Sequence, residues 1–168
     1  DEISSPSAVS NMMPDIGTEG REWTTEADQH SSANIVADSN QLVFRYRLSD
    51  LKSDSPYAGA VRSLDGLRSR GSNSVSLIAS ADRPLRVSVQ LRDASRSEDV
   101  RWIASFYADG TPRNITIPFS RFKSTIPTEA KTLRIEDIDT FLIVADLVNS
   151  TPGTSGELTL ESVQLERR

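Results

Sequence analysis

The chain has 168 residues, a formal net charge of −5, no cysteine and a single histidine. That length suits one domain with a sizeable core, and the composition excludes disulfides and thiolate metal sites. The longest apolar run is Phe141 to Ala145, far short of the roughly 20 residues a membrane-crossing helix needs, so membrane insertion is not expected.

Charge is unevenly divided. Residues 1–40 carry eight acids against Arg21 alone, whereas residues 41–168 carry 18 bases against 16 acids. Neither block is a basic stripe, so no nucleic acid is expected as a partner. Of the 19 bases, all but Lys52, Lys123 and Lys131 are arginine. Two readings stand: a composition inherited from a GC-rich genome, or planar guanidinium forks that recognise carboxylates and ring faces.

Residues 1–20 combine Ser, Pro, Asn, Gly and acids with no sustained apolar period, which predicts a flexible acidic tail or linker ahead of a domain over 21–168. From about Trp23 onward, short alternating runs are separated by turn residues, the mark of an all-β domain. In Gln41 to Leu48, the residues Leu42, Phe44, Tyr46 and Leu48 share one face and Arg45 and Arg47 the other, because strand side chains alternate. Ser74 to Ala79 keeps Val75 and Leu77 in phase. Leu85, Val87, Val89 and Leu91 oppose Arg86, Ser88, Gln90 and Arg92, a half-buried strand with a polar outer row. Val100 to Tyr107 is bulky on both sides, with Trp102 and Phe106 on one and Ile103 and Tyr107 on the other, so both faces are expected to be covered. Ile115, Ile117 and Phe119 form another row, and Pro118 marks a strand end or an edge. Phe141 to Ala145 is apolar throughout, as in a central strand buried on both sides. Leu158 and Leu160 are in phase, but the parity then switches to Val163 and Leu165, which predicts a bulge near Glu161 and Ser162.

Turn signals separate these runs: Ser53 to Pro56, Arg70 to Asn73, Ala81 to Pro84, Asp109 to Pro112 and Ser150 to Gly153. A strand roughly every ten residues predicts a β-sandwich or jelly roll of antiparallel sheets rather than βαβ units. Only Thr128 to Ile138 has room for a helical turn.

Taken in order, Trp23, then Leu42 to Tyr46, Tyr57-Ala58-Gly59 and Leu85 to Asp93 (LRVSVQLRD) resemble the first half of a galactose-binding-like jelly roll. Ile115 to Phe122 (ITIPFSRF), Ile138 to Ala145 and Gly156 to Leu165 (GELTLESVQL) are similar to its closing strands. The members most like it are the family 11 carbohydrate-binding modules and the complex I intermediate-associated type domains. The resemblance spans most of the chain after the tail and is carried by strand patterns, so it speaks to fold more than to ligand. Two positions depart from the pattern: Pro112 and Arg113 stand where members often carry Trp, and Glu161 where many carry Asp.

The resemblance implies a non-catalytic domain that binds a polysaccharide or oligosaccharide, as one part of a larger secreted or periplasmic protein. The alternative it leaves open is a protein-interaction or sensory module without a sugar site. A start at Asp1 rather than Met fits a chain trimmed after export, which is the expected localisation. Such modules often hold a structural calcium. Glu26, Asp28 and Glu161 are the oxygen donors to inspect for it, and binding of no metal is the competing reading.

The residues themselves argue against catalysis. A Ser-His-Asp site would need His30, in a polar irregular segment, as base. One histidine and no cysteine leave a zinc site without its usual ligands. Glu136, Asp137 and Asp139 crowd together as a solvated turn does. A sugar site needs an aromatic platform ringed by polar groups. Tyr57, Trp102 and Tyr107 are the candidate platforms, and Arg45, Arg47, Arg86, Ser88, Gln90 and Arg92 the candidate polar rows. If the strands carrying these arginines share a sheet, they form a basic strip suited to a uronate-containing chain.

Overall fold

The computed structural model describes residues 16–52, 55–67, 71–93, 100–126 and 133–168. In chain order, the strands of these segments are β1 (Trp23–Ala27), β2 (Ser32–Asp38), β3 (Gln41–Arg47), β4 (Tyr57–Ser63), β5 (Ser74–Ala81), β6 (Leu85–Asp93), β7 (Val100–Ala108), β8 (Arg113–Pro118), β9 (Lys123–Ser124), β10 (Thr140–Asp146) and β11 (Ser155–Glu166). They form two sheets, a six-stranded one in the order β1-β4-β10-β6-β7-β9 and a five-stranded one in the order β2-β3-β11-β5-β8. Neighbouring strands pair antiparallel in both. This is the expected jelly-roll sandwich. No helix among the described residues is long and apolar enough to cross a membrane.

The core lies where the inner faces of the two sheets meet. Val87, Val89 and Leu91 of β6 and Phe141, Ile143 and Ala145 of β10 pack from one side. Leu42, Phe44 and Tyr46 of β3, with Leu158, Leu160, Val163 and Leu165 of β11, pack from the other. Each set has the phase read from the alternation. The β11 parity switch is a register shift against β5 between Leu160 and Ser162, which returns Val163 and Leu165 to the core. β10 is central and buried on both faces, with Leu142 fully covered on its outer side and Val144 3% exposed there. β8 is an edge strand and ends at Pro118, where a missing N–H costs no ladder bond.

Two expectations are corrected and one strand is new. The start of the domain lies earlier than residue 21: Ile16 is 2% exposed within the core, Gly17 N donates to Val163 O and Trp23 Nε1 donates to Gly17 O. Burying an isoleucine side chain is worth about 1.5–3 kcal/mol, so residues 16–20 are packed chain despite a composition that reads as tail. β2 was not expected at all. Its Ser-Ala-Asn-Ile-Val-Ala-Asp run is mostly exposed at a sheet edge and shows little alternation; Ser39 and Asn40, at φ 45° and 67°, turn it into β3 with the left-handed geometry of a tight hairpin. β7 is not covered on both faces, since Tyr107 on its outer side is 44% exposed.

Residues 1–15 lie outside the described residues, as do Ser53, Asp54 and Arg70 of the expected turns. So do residues 128–132 of the expected helical turn, of which Ile135–Asp137 form a short 3-10 turn.

Candidate functional site

The outer face of the six-stranded sheet holds a cleft of about 450 Å³. Ladder register decides which side chains reach it. Tyr57 pairs with Asp146, Gly59 with Val144 and Val61 with Leu142. Val144 in turn pairs with Ser88, Leu142 with Gln90 and Thr140 with Arg92. Beyond β6, Arg92 faces Arg101. Residues opposite one another in a ladder point to the same side, so all of these share the face away from the core. Tyr57 and Val144 give the cleft apolar surface, Gln90, Arg92 and Arg101 polar surface, and Asp146, Leu147 and Val148 close one side.

The segment after β10 is tied down over this face. Asn149 Nδ2 donates to Ser88 Oγ at 2.9 Å and to Ser105 Oγ at 3.0 Å. That strap explains why Ser88, an outward residue, is fully buried. It also holds Leu147 and Val148, 44% and 72% exposed, as an apolar rim. Burial raises the Asp146 carboxyl above its ordinary value, partly offset by the hydrogen bond from Val148 N.

Tyr57 is fixed from the opposite side. Its backbone N donates to Asp28 Oδ1 at 2.9 Å, and His30 N donates to Asp28 Oδ2. For Asp28, slight burial pushes the carboxyl up, but the bonds from Ser31, Tyr57 and His30 prevail and hold it below its ordinary value. Gln90 is 4% exposed, and its Oε1 has no hydrogen-bond partner among the described residues; the same is true of Arg92 Nε. Native folds rarely leave buried polar atoms unpaired, so the floor of the cleft retains hydrogen-bonding capacity that the fold does not consume.

The structure brings together Tyr57, Ser88, Gln90 and Arg92, with Arg86 and Tyr107 further along the same face. It separates the other candidates. Arg45 and Arg47 sit on β3 of the five-stranded sheet, where Arg45 Nε donates to Glu157 at 2.7 Å; the four-arginine strip therefore does not form. Trp102 pairs with Leu91, points inward and packs half-buried against the core, on the face away from the cleft.

Nor are the three acids proposed for calcium assembled. Glu26 engages Arg92 on the six-stranded sheet, Asp28 serves the turn before β2, and Glu161 accepts from Gln41 Nε2 at the bulge of the other sheet. Among the described residues no group of three or more carboxylate, histidine or cysteine side chains is placed to hold a metal. Arg101, Asp146, Leu147 and Val148 were missed. The only local sign of them was an apolar Leu-Val pair following a strand-ending acid, which alternation alone does not interpret.

No family model matches the chain, and no curated protein matches it either. Solved structures do. The chain is similar to the family 11 carbohydrate-binding module of the cellulosomal cellulase Lic26A-Cel5E of Clostridium thermocellum, with a TM-score of 0.66 and 20% identity over 96% of this chain and 97% of that one. A family 11 module from the same organism, in complex with a β-1,3-1,4-mixed-linked tetrasaccharide, gives 0.64 and 18% over 87% and 89%. An agarase gives 0.56 and 11% over 92% of this chain but only 25% of the enzyme. The chain thus has the jelly-roll β-sandwich fold of the family 11 carbohydrate-binding modules.

Proposed function

We propose that this domain is a non-catalytic carbohydrate-binding module that seats a glycan in the cleft on the outer face of its six-stranded sheet. One observation carries the reading: a cleft of about 450 Å³ in which Tyr57 and Val144 lie beside Gln90, whose buried carbonyl oxygen has no partner among the described residues. A sugar ring matches both features, since its C–H face packs on an aromatic or aliphatic surface while its hydroxyls donate and accept at the rim. The fold likeness to family 11 modules, one of them in complex with a β-1,3-1,4-mixed-linked tetrasaccharide, supports the same use. Hydrolysis would require two carboxylates flanking the scissile bond, whereas among the described residues that line the cleft Asp146 is the one carboxylate. The agarase, a quarter of which is covered by this chain, supports reading the domain as one part of a larger protein.

The test is affinity electrophoresis, followed by calorimetry, on a panel of soluble glycans. The wild type is expected to be retarded by at least one of them, and Tyr57→Ala to weaken that binding about tenfold, as loss of an aromatic platform does. Retardation by none would discard the sugar site and favour a protein-interaction module. Unchanged binding by Tyr57→Ala would move the site off this cleft.

A further inference from the structure

An ion pair joins one of the cleft's lining residues, Arg92, to a residue on a strand that is not its neighbour. Arg92 is on β6 and Glu26 on β1, with β10 and β4 between them, yet Arg92 Nη1 donates to Glu26 Oε1 at 3.0 Å. Both residues point to the outer face, so their side chains meet over the two intervening strands. Gly59, opposite Glu26 in register, puts no side chain in the path.

The bond uses only part of the guanidinium. Its side chain is 15% exposed against 36% for Glu26, and its Nε is buried without a partner among the described residues. A guanidinium offers donors in a planar fork, and a carboxylate or sulfate lying along one edge takes two of them at once. Glu26, reaching from the far side of the sheet, meets Nη1. Two residues back on the same face, Gln90 Oε1 is likewise a buried acceptor without a partner among the described residues. A donor and an acceptor of this kind side by side suit a ligand whose anionic group neighbours a hydroxyl.

We propose that Arg92 is the anion-recognising residue of the cleft, that the glycan it selects bears a carboxylate or sulfate, and that Glu26 is the internal stand-in which this anion displaces. In the occupied site the ligand's anionic group lies along the Arg92 edge that includes Nε, and a neighbouring hydroxyl donates to Gln90 Oε1. Arg101, directly opposite Arg92 in the ladder, holds a second guanidinium at this end of the cleft. The carboxylate of Asp146 lines the same cleft and opposes an anion; it lies in the row of Tyr57, six residues along β10 from Thr140, the partner of Arg92, so the anionic group sits at the Arg92 and Arg101 end. This inference rests on the cleft being a glycan site and specifies which glycans enter it.

The experiment compares wild type, Arg92→Lys and Glu26→Gln by calorimetry and affinity electrophoresis on oligogalacturonate, a sulfated galactan and a neutral mixed-linked β-glucan, at low and high salt. Melting curves verify that each variant is folded. The wild type is expected to bind at least one acidic chain several-fold more tightly than the neutral one, with the margin shrinking in salt. Arg92→Lys, which keeps the charge and loses the fork, is expected to lose at least fivefold on the acidic chain and distinctly less on the neutral one. Glu26→Gln removes the competitor and is expected to gain several-fold on the acidic chain; should Arg92→Lys fail to fold, this variant alone decides. Whether uronate or sulfate is preferred identifies the anion, and either supports the assignment. Equal binding of neutral and acidic chains, or acidic binding that falls in Glu26→Gln, overturns it while leaving the glycan cleft standing. Retention by no glycan overturns the cleft reading and this one together.

Discussion

Asn149→Ala tests whether the strap after β10 builds the cleft. Asn149 Nδ2 serves two hydroxyls on neighbouring strands, Ser88 Oγ at 2.9 Å and Ser105 Oγ at 3.0 Å. Ser88 is fully buried, whereas Asn149 and Ser105 are only half-buried. Truncation thus leaves one sealed hydroxyl without this donor and one that water can reach. A buried polar group stripped of its partner costs about 1–3 kcal/mol, and partial access to water at Ser105 places the sum near the lower half, about 1–2 kcal/mol. In a domain of this size each kcal/mol lowers the melting temperature by about 2–4 °C, so calorimetry should record a drop of about 2–8 °C. Adding Ser88→Ala removes the orphaned group and should restore part of the loss, a coupling that a double-mutant cycle reads directly. Because the strap also carries Leu147 and Val148, glycan affinity should fall in Asn149→Ala by more than the stability loss alone would cause in a protein still fully folded at the assay temperature. A melting temperature and an affinity both within error of wild type would refute the reasoning and show that the strap does not shape the site.

Two further substitutions probe the same picture. Gly156 lies opposite Tyr46 in the ladder, and a Cβ there would sit 2.6 Å from the Tyr46 hydroxyl oxygen and 2.8 Å from Cζ. Gly156→Ala should therefore cost toward the upper end of the about 1–3 kcal/mol typical of overpacking; a melting temperature unchanged by differential scanning calorimetry would mean the ring does not lie over residue 156. Burial raises the Asp146 carboxyl above 3.8, so its ionised form works against the fold: the penalty is absent below about pH 4, where the group is protonated folded and unfolded alike, and grows as pH rises through the folded-state value. Asp146→Asn, which keeps an acceptor for Val148 N, should melt higher than wild type at pH 7 and equally at pH 3; an offset independent of pH would contradict this.

Strand phase was legible along most of the chain because alternation is a local property. Leu85 to Leu91 and Leu42 to Tyr46 each announce their inner face through neighbours two residues away, and the β11 bulge shows as a change of parity within the strand. β2 was hidden because an exposed edge strand has no apolar row to display, and Ile16 because one anchoring side chain makes no period. Trp102 lay on a strand bulky on both sides, where nothing local says which side is inside. Which strands lie beside one another is a different kind of information. The strands bearing Arg45 and Arg86 look alike in isolation, yet they ended on opposite sheets, and the candidate strip divided with them. Glu26 and Arg92, 66 residues apart, meet only because their strands lie in one sheet, where the two side chains reach over β4 and β10. The inward and outward faces of each strand are set by residues adjacent in the chain and were written in the sequence. The cleft depends on partners chosen by packing across the whole sandwich, where a shift of one strand changes every neighbour, and only the tertiary structure decided it.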